Sequence, residues 1–163
     1  MKRIVLLLLT VLLLAVGVSC EDEPEETSFS ALSVRGVTIT LDAEAAPIVA
    51  ALGEPRAFAE TNSCYGDGKD KVYEYQSFKV TTYSMGGKDY ILAVEIFDDV
   101  DATLATPEGI AVGAGRDAVI AAYGEAGEAT DAKLVYVSGG VKLRFLLTDG
   151  RVTSIKYLKA EAN

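Results

Sequence analysis

The chain has 163 residues, half of them apolar, a formal net charge of −9 and no histidine. This length and apolar share suit one folded domain or two very small ones, and the acidic balance, with no basic stripe, argues against a nucleic-acid partner. Without histidine the chain cannot build a Ser–His–Asp or Cys–His nucleophile or a histidine zinc site, and its two cysteines cannot supply a thiolate-rich one.

The chain opens MKRIVLLLLTVLLLAVGVSC. Lys2 and Arg3 precede an apolar run from Ile4 to Val18, and small residues lead to Cys20. Residues 1–19 therefore read as an export signal, since the run is shorter than the ~20 residues needed to span a bilayer as a helix. VGVSC resembles the lipobox of bacterial lipoprotein precursors, in which the cysteine receives a diacylglyceryl group before the signal is removed. That resemblance implies lipid attachment at Cys20 and an extracytoplasmic, membrane-anchored location.

Residues 20–32 follow as a tether in which Glu21, Asp22, Glu23, Glu25 and Glu26 surround Pro24. Mutual repulsion keeps such a segment extended and solvated. An acidic sorting signal is the other reading of the same charges.

From residue 33 onward the chain is similar to itself. IVAALGEP at 48–55 matches VIAAYGEA at 119–126, RGVTITL at 35–41 parallels EGIAVGA at 108–114, and YQSFKV at 75–80 parallels YVSGGVKL at 136–143. YILAVEI at 90–96 parallels RVTSIKY at 151–157. The periodicity predicts a short helix ending at Gly53 and another ending at Gly124, each glycine supplying a left-handed C′ residue. A polar loop and then strands follow each helix, with hairpins at Gly86–Gly87 and Asp149–Gly150. The expected fold is α+β: a first repeat over 33–104 and a second over 105–163, each a short helix packed on a small antiparallel sheet.

ATPEGIAVGAGRDAVIAAYGEA, continued by LVYVSGGVKLRFLLTDGRVTSIKY, resembles the repeated unit of small bacterial lipoproteins related in fold to the β-lactamase inhibitory protein and to the small lipoprotein of the outer-membrane barrel assembly machine. The first unit is similar to uncharacterised surface lipoproteins of Gram-positive bacteria. The resemblance implies a fold rather than a role, and no inhibitory residue is carried over from it.

Candidate site residues are few. Cys64, in TNSCYGDGKDKVYEY, reads as a small packing residue, with a redox thiol or an intermolecular disulfide as the other readings. DGKD at 67–70 and DDVD at 98–101 lack calcium-loop spacing and read as a turn and as the connection between repeats, so no metal or cofactor is expected. Tyr65, Tyr73, Tyr75, Tyr83 and Tyr90 crowd the first unit and read first as rings packed between sheet and helix; of these, Tyr65, Tyr73 and Tyr75 are the candidates for the other reading, an interface that uses their polar tips. Lys142 and Arg144 alternate with Val141, Leu143 and Phe145, which gives that strand one polar face. The expected function is a lipid-anchored extracytoplasmic binding or scaffold protein without catalysis, meeting an envelope or extracellular protein through Tyr65, Tyr73, Tyr75 and Lys142. An envelope assembly factor, an inhibitor of an extracellular enzyme and a carboxylate-based hydrolase are the alternatives.

Overall fold

The computed structural model describes residues 29, 31–63, 65–97 and 104–160. The signal segment, Cys20, the acidic tether as far as Ser28, Cys64 and the DDVD connection lie outside the described residues. A hairpin of β1 (Ala31–Val34) and β2 (Val37–Thr40) leads to α1 (Ala45–Leu52) and then to β3 (Ala57–Asn62), β4 (Lys69–Glu74), β5 (Phe78–Met85) and β6 (Lys88–Ile96). After α2 (Arg116–Tyr123) come β7 (Glu128–Thr130), β8 (Lys133–Ser138), β9 (Val141–Thr148) and β10 (Arg151–Lys159).

The expectation of an α+β fold with two tandem helix-on-sheet repeats is overturned. The eight strands β3 to β10 form one antiparallel sheet in the order β3-β4-β5-β6-β10-β9-β8-β7, and against it stand two helices of only eight residues each. The fold is mainly β. The physical reason lies in β6 and β10, which pair Ile155 with Ile96, Lys156 with Glu95, Tyr157 with Val94 and Leu158 with Ala93. That pairing satisfies the backbone of both strands, so no edge separates the two halves of the sheet.

Register sorts the side chains into rows that cross this sheet. Phe78, Ile96, Ile155, Phe145 and Leu134 are successive cross-strand partners, and so are Tyr73, Val80, Val94, Tyr157, Leu143 and Tyr136. Almost all of them are buried under the helices and the β1–β2 hairpin, in one core with Leu32, Val34, Ile39, Leu52 and Val119. Because the side-chain period of a strand is two, the residues between these rows must face the other way. Leu32, already in the core, also carries the folded part of the chain back into the expected tether, as does Phe29, whose ring meets Tyr123 edge-on at 5.7 Å.

Helices this short are marginal on their own and depend on tertiary anchors. Val119 of α2 and Ala45 and Leu52 of α1 are buried in the core. At the C-terminal end the Tyr75 hydroxyl donates to the Gly53 carbonyl at 3.4 Å, and the Tyr136 hydroxyl to the Gly124 carbonyl at 3.1 Å. Both phenols thus satisfy carbonyls that a helix end leaves open. The two glycines differ from expectation. Gly53 (φ 81°, ψ −162°) and Gly124 (φ 76°, ψ −155°) have positive φ, but their ψ places them in a region essentially closed to every other residue rather than in the left-handed helical well. Gly124→Ala and Gly124→Asn should therefore both destabilise the fold by about 1–3 kcal/mol in urea melts. A left-handed helical cap would tolerate Asn far better than Ala.

Candidate partner-binding face

The four positions named from the sequence do not form one surface. Tyr75 is 2% exposed and stacks on Phe78 with ring centroids 4.6 Å apart, so its ring belongs to the core. Burial pushes its phenol pKa up. Tyr73 is half-buried on the covered side, where its ring meets Phe58 of the edge strand β3 at 5.2 Å. Lys142 lies in β9 among the residues that face away from the core.

Tyr65 is placed by a tight loop. The Ser63 hydroxyl accepts from the amides of Tyr65 and Gly66 at 2.9 and 2.8 Å, and the Asp67 amide donates to the Ser84 carbonyl at 3.0 Å. A side chain at Gly66 would strike that carbonyl, since a Cβ there would lie 1.8 Å from it. The loop thereby lays Tyr65 beside Tyr83, with centroids 5.7 Å apart. Lys159 reaches over both rings, at 5.7 Å from Tyr65 and 5.1 Å from Tyr83, and its ammonium lies 2.9 Å from Asp42 Oδ1. Tyr83 also donates to Asp42, at 2.8 Å, so the cluster is internally satisfied. It ties the segment before α1 to the end of the sheet.

The larger open surface is the helix-free face of the sheet. Its central row runs across the strands as Glu74, Lys79, Glu95, Lys156, Arg144, Val135 and Glu128, each directly opposite the next. Facing pairs on neighbouring strands have Cβ atoms about 4.5–5.5 Å apart, so charge is read from strand to strand. Glu95 sits in the middle, 3.2 Å from the Lys79 ammonium and 3.6 Å from that of Lys156, and accepts from the Ser154 hydroxyl at 3.1 Å. Arg56 closes on Glu74 at 2.5 Å and Lys133 on Glu128 at 2.5 Å.

Beside this row lie Thr81, Ala93, Leu158, Lys142 and Val137 in register, with Val137 63% exposed. The described helices and the β1–β2 hairpin all pack on the opposite side. Sequence reasoning found Lys142 and Arg144 through the alternation of VKLRF, but not Lys79, Glu95 or Lys156. Those three belong to the same period in FKV, VEI and IKY, and only the register of β5, β6, β10 and β9 aligns them.

No family model matches the chain, and no curated protein or solved structure matches it. Among the described residues no helix is long and apolar enough to cross a membrane, and no group of His, Cys, Asp and Glu side chains is arranged to hold a metal ion.

Electrostatics at Glu95 yields a pH prediction. Burial alone pushes its carboxyl pKa up. The Lys79 ammonium that bonds it, the Lys156 charge and the Ser154 hydroxyl outweigh burial and hold the carboxyl below its ordinary range. A carboxyl whose folded pKa is depressed contributes stability above its unfolded pKa of about 4.3 and loses it as pH falls through the folded value. Glu95→Gln should therefore be less stable than wild type at neutral pH, with the gap closing below about pH 4.3. Urea melts at pH 7 and pH 3 measure this; a gap independent of pH would show that the ion pairs contribute nothing.

Proposed function

We propose that the protein is a lipid-anchored, extracytoplasmic binding module without catalytic activity, and that the helix-free face of its sheet is the surface that meets a partner. The single observation that carries this reading is the asymmetry of the sheet. One face is filled by apolar rows under two helices, and the other carries register-aligned charged residues, with buried Val135 and Ala93 among them, on which neither helix packs. A sheet face held in place by strand pairing presents side chains without further ordering of the backbone, which keeps the entropic cost of binding low.

Anchoring rests on the sequence alone. Lys2 and Arg3, the apolar run to Val18 and the small residues before Cys20 support an export signal followed by an acylated cysteine. Two or three acyl chains, at about 0.8 kcal/mol per buried methylene, hold a protein on a membrane where one chain lets go. The acidic residues from Glu21 to Glu26 then act as a spacer between membrane and fold.

Two measurements test the two halves of the proposal. Mass spectrometry of the mature N-terminal peptide should show Cys20 as its first residue carrying the added mass of acyl chains. A peptide beginning elsewhere, or an unmodified cysteine, contradicts the anchor. A photo-crosslinking residue at position 142 should give a discrete adduct on intact cells, whereas the same residue at the exposed, helix-side position 117 should not. Equal labelling from both positions, or adducts from 117 alone, contradicts the assignment of the face.

A further inference from the structure

Resting on the open sheet face as the partner surface, the charge pattern of that face names the chemistry of the partner. Cations and anions on the central row are not matched one to one. Glu95 is shared by Lys79 and Lys156, Lys133 has Glu128, and Glu74 has Arg56. Arg144 and Lys142, two residues apart on β9 and therefore side by side on this face, have no carboxylate within ion-pair distance among the described residues. Arg144 stands directly opposite Lys156, and like charges in facing positions destabilise a sheet. The Arg144 Nε is also buried without a hydrogen-bond partner. No described group of the fold therefore compensates this part of the guanidinium.

We propose that Arg144 and Lys142 form the anion-recognition centre of the face, and that the occupant is a partner protein presenting a carboxylate flanked by apolar side chains. The two outer Nη atoms of the planar guanidinium match a carboxylate in two parallel hydrogen bonds, the buried Nε taking no part, and a partner carboxylate set between Arg144 and Lys156 relieves the repulsion along the row. The apolar part of the specificity comes from the adjoining positions. Leu158 and Val137 flank Lys142 in register, and Val137 is among the most exposed large apolar residues described. A phosphate polymer or a lipid headgroup would use the charge but has no use for those two side chains.

The test uses the full-length protein and a fluorescein-labelled acidic peptide, Gly-Glu-Leu-Glu-Thr-Glu-Leu-Glu-Gly, followed by anisotropy at low salt. The expected result is saturable binding that weakens about tenfold or more in Arg144→Gln and in Lys142→Gln. Arg144→Lys keeps the charge without the fork and should recover only part of the loss. Lys133→Gln, on the same face but already paired with Glu128, should change binding less than about twofold. Urea melts of each variant show whether it remains folded. Val137→Ser should weaken the peptide while leaving inorganic polyphosphate unaffected. The proposal is overturned by absence of saturable peptide binding, by equal losses in Lys133→Gln and Arg144→Gln, or by tighter binding of polyphosphate or phosphatidylglycerol vesicles that depends on the same two cations. An adduct from position 142 with no peptide binding would keep the face as the partner surface and remove the acidic partner. The reverse result would separate the two in the other direction.

Discussion

Four antiparallel residue pairs, from Ile155 opposite Ile96 to Leu158 opposite Ala93, join β10 to β6 and turn two strand meanders into one sheet. Everything else depends on that junction. It places Ile96 and Ile155 in one buried row and Val94 and Tyr157 in the next, so one core runs through the central strands of both halves of the sheet. It also brings Glu95 within reach of Lys156, a residue from the far half of the chain. A slip of one residue would turn Ile155 and Tyr157 to water and bury Lys156.

The same junction explains why two eight-residue helices suffice. Each contributes few buried side chains, and the apolar rows of the sheet supply the rest of the core. The phenols of Tyr75 and Tyr136 fasten the helix ends to strands through the Gly53 and Gly124 carbonyls. Around α2 the aromatic contacts are denser, with Tyr123 lying 5.3 Å from Tyr136 and 5.4 Å from Phe145 by ring centroid. Its hydroxyl donates to Glu108, and burial together with that carboxylate pushes its pKa up, so it stays a neutral, partly buried tyrosine packed against the core.

Much of the local structure was legible. Gly86–Gly87 and Asp149–Gly150 do turn hairpins, and the alternation of VKLRF does divide β9 into a buried and an open face. The architecture was not legible, because a short apolar strand carries no mark of which strand will pair with it. The parallel between YILAVEI and RVTSIKY suggested two separate small sheets, whereas those two segments are the strands that bond to each other. Strands β3 and β7 read as loop from the sequence because AFAETN and EAT show no apolar period of two, and both are exposed throughout. Tyr75 was open to both readings because the tyrosine density of the segment does not distinguish a ring stacked under a helix from one at the surface. The centre of the open face was hidden for a related reason, since Lys79, Glu95 and Lys156 come from three distant strands and only register makes them neighbours.

The central claim is the register of β6 against β10, and NMR contacts between backbone protons across that pair test it most directly. Interstrand contacts should link Val94 with Tyr157 and Glu95 with Lys156 in an antiparallel pattern, together with slow amide exchange along both strands. Contacts shifted by one residue, or fast exchange at this junction with protection confined to the outer strands, would contradict a single sheet and with it the aligned charge row.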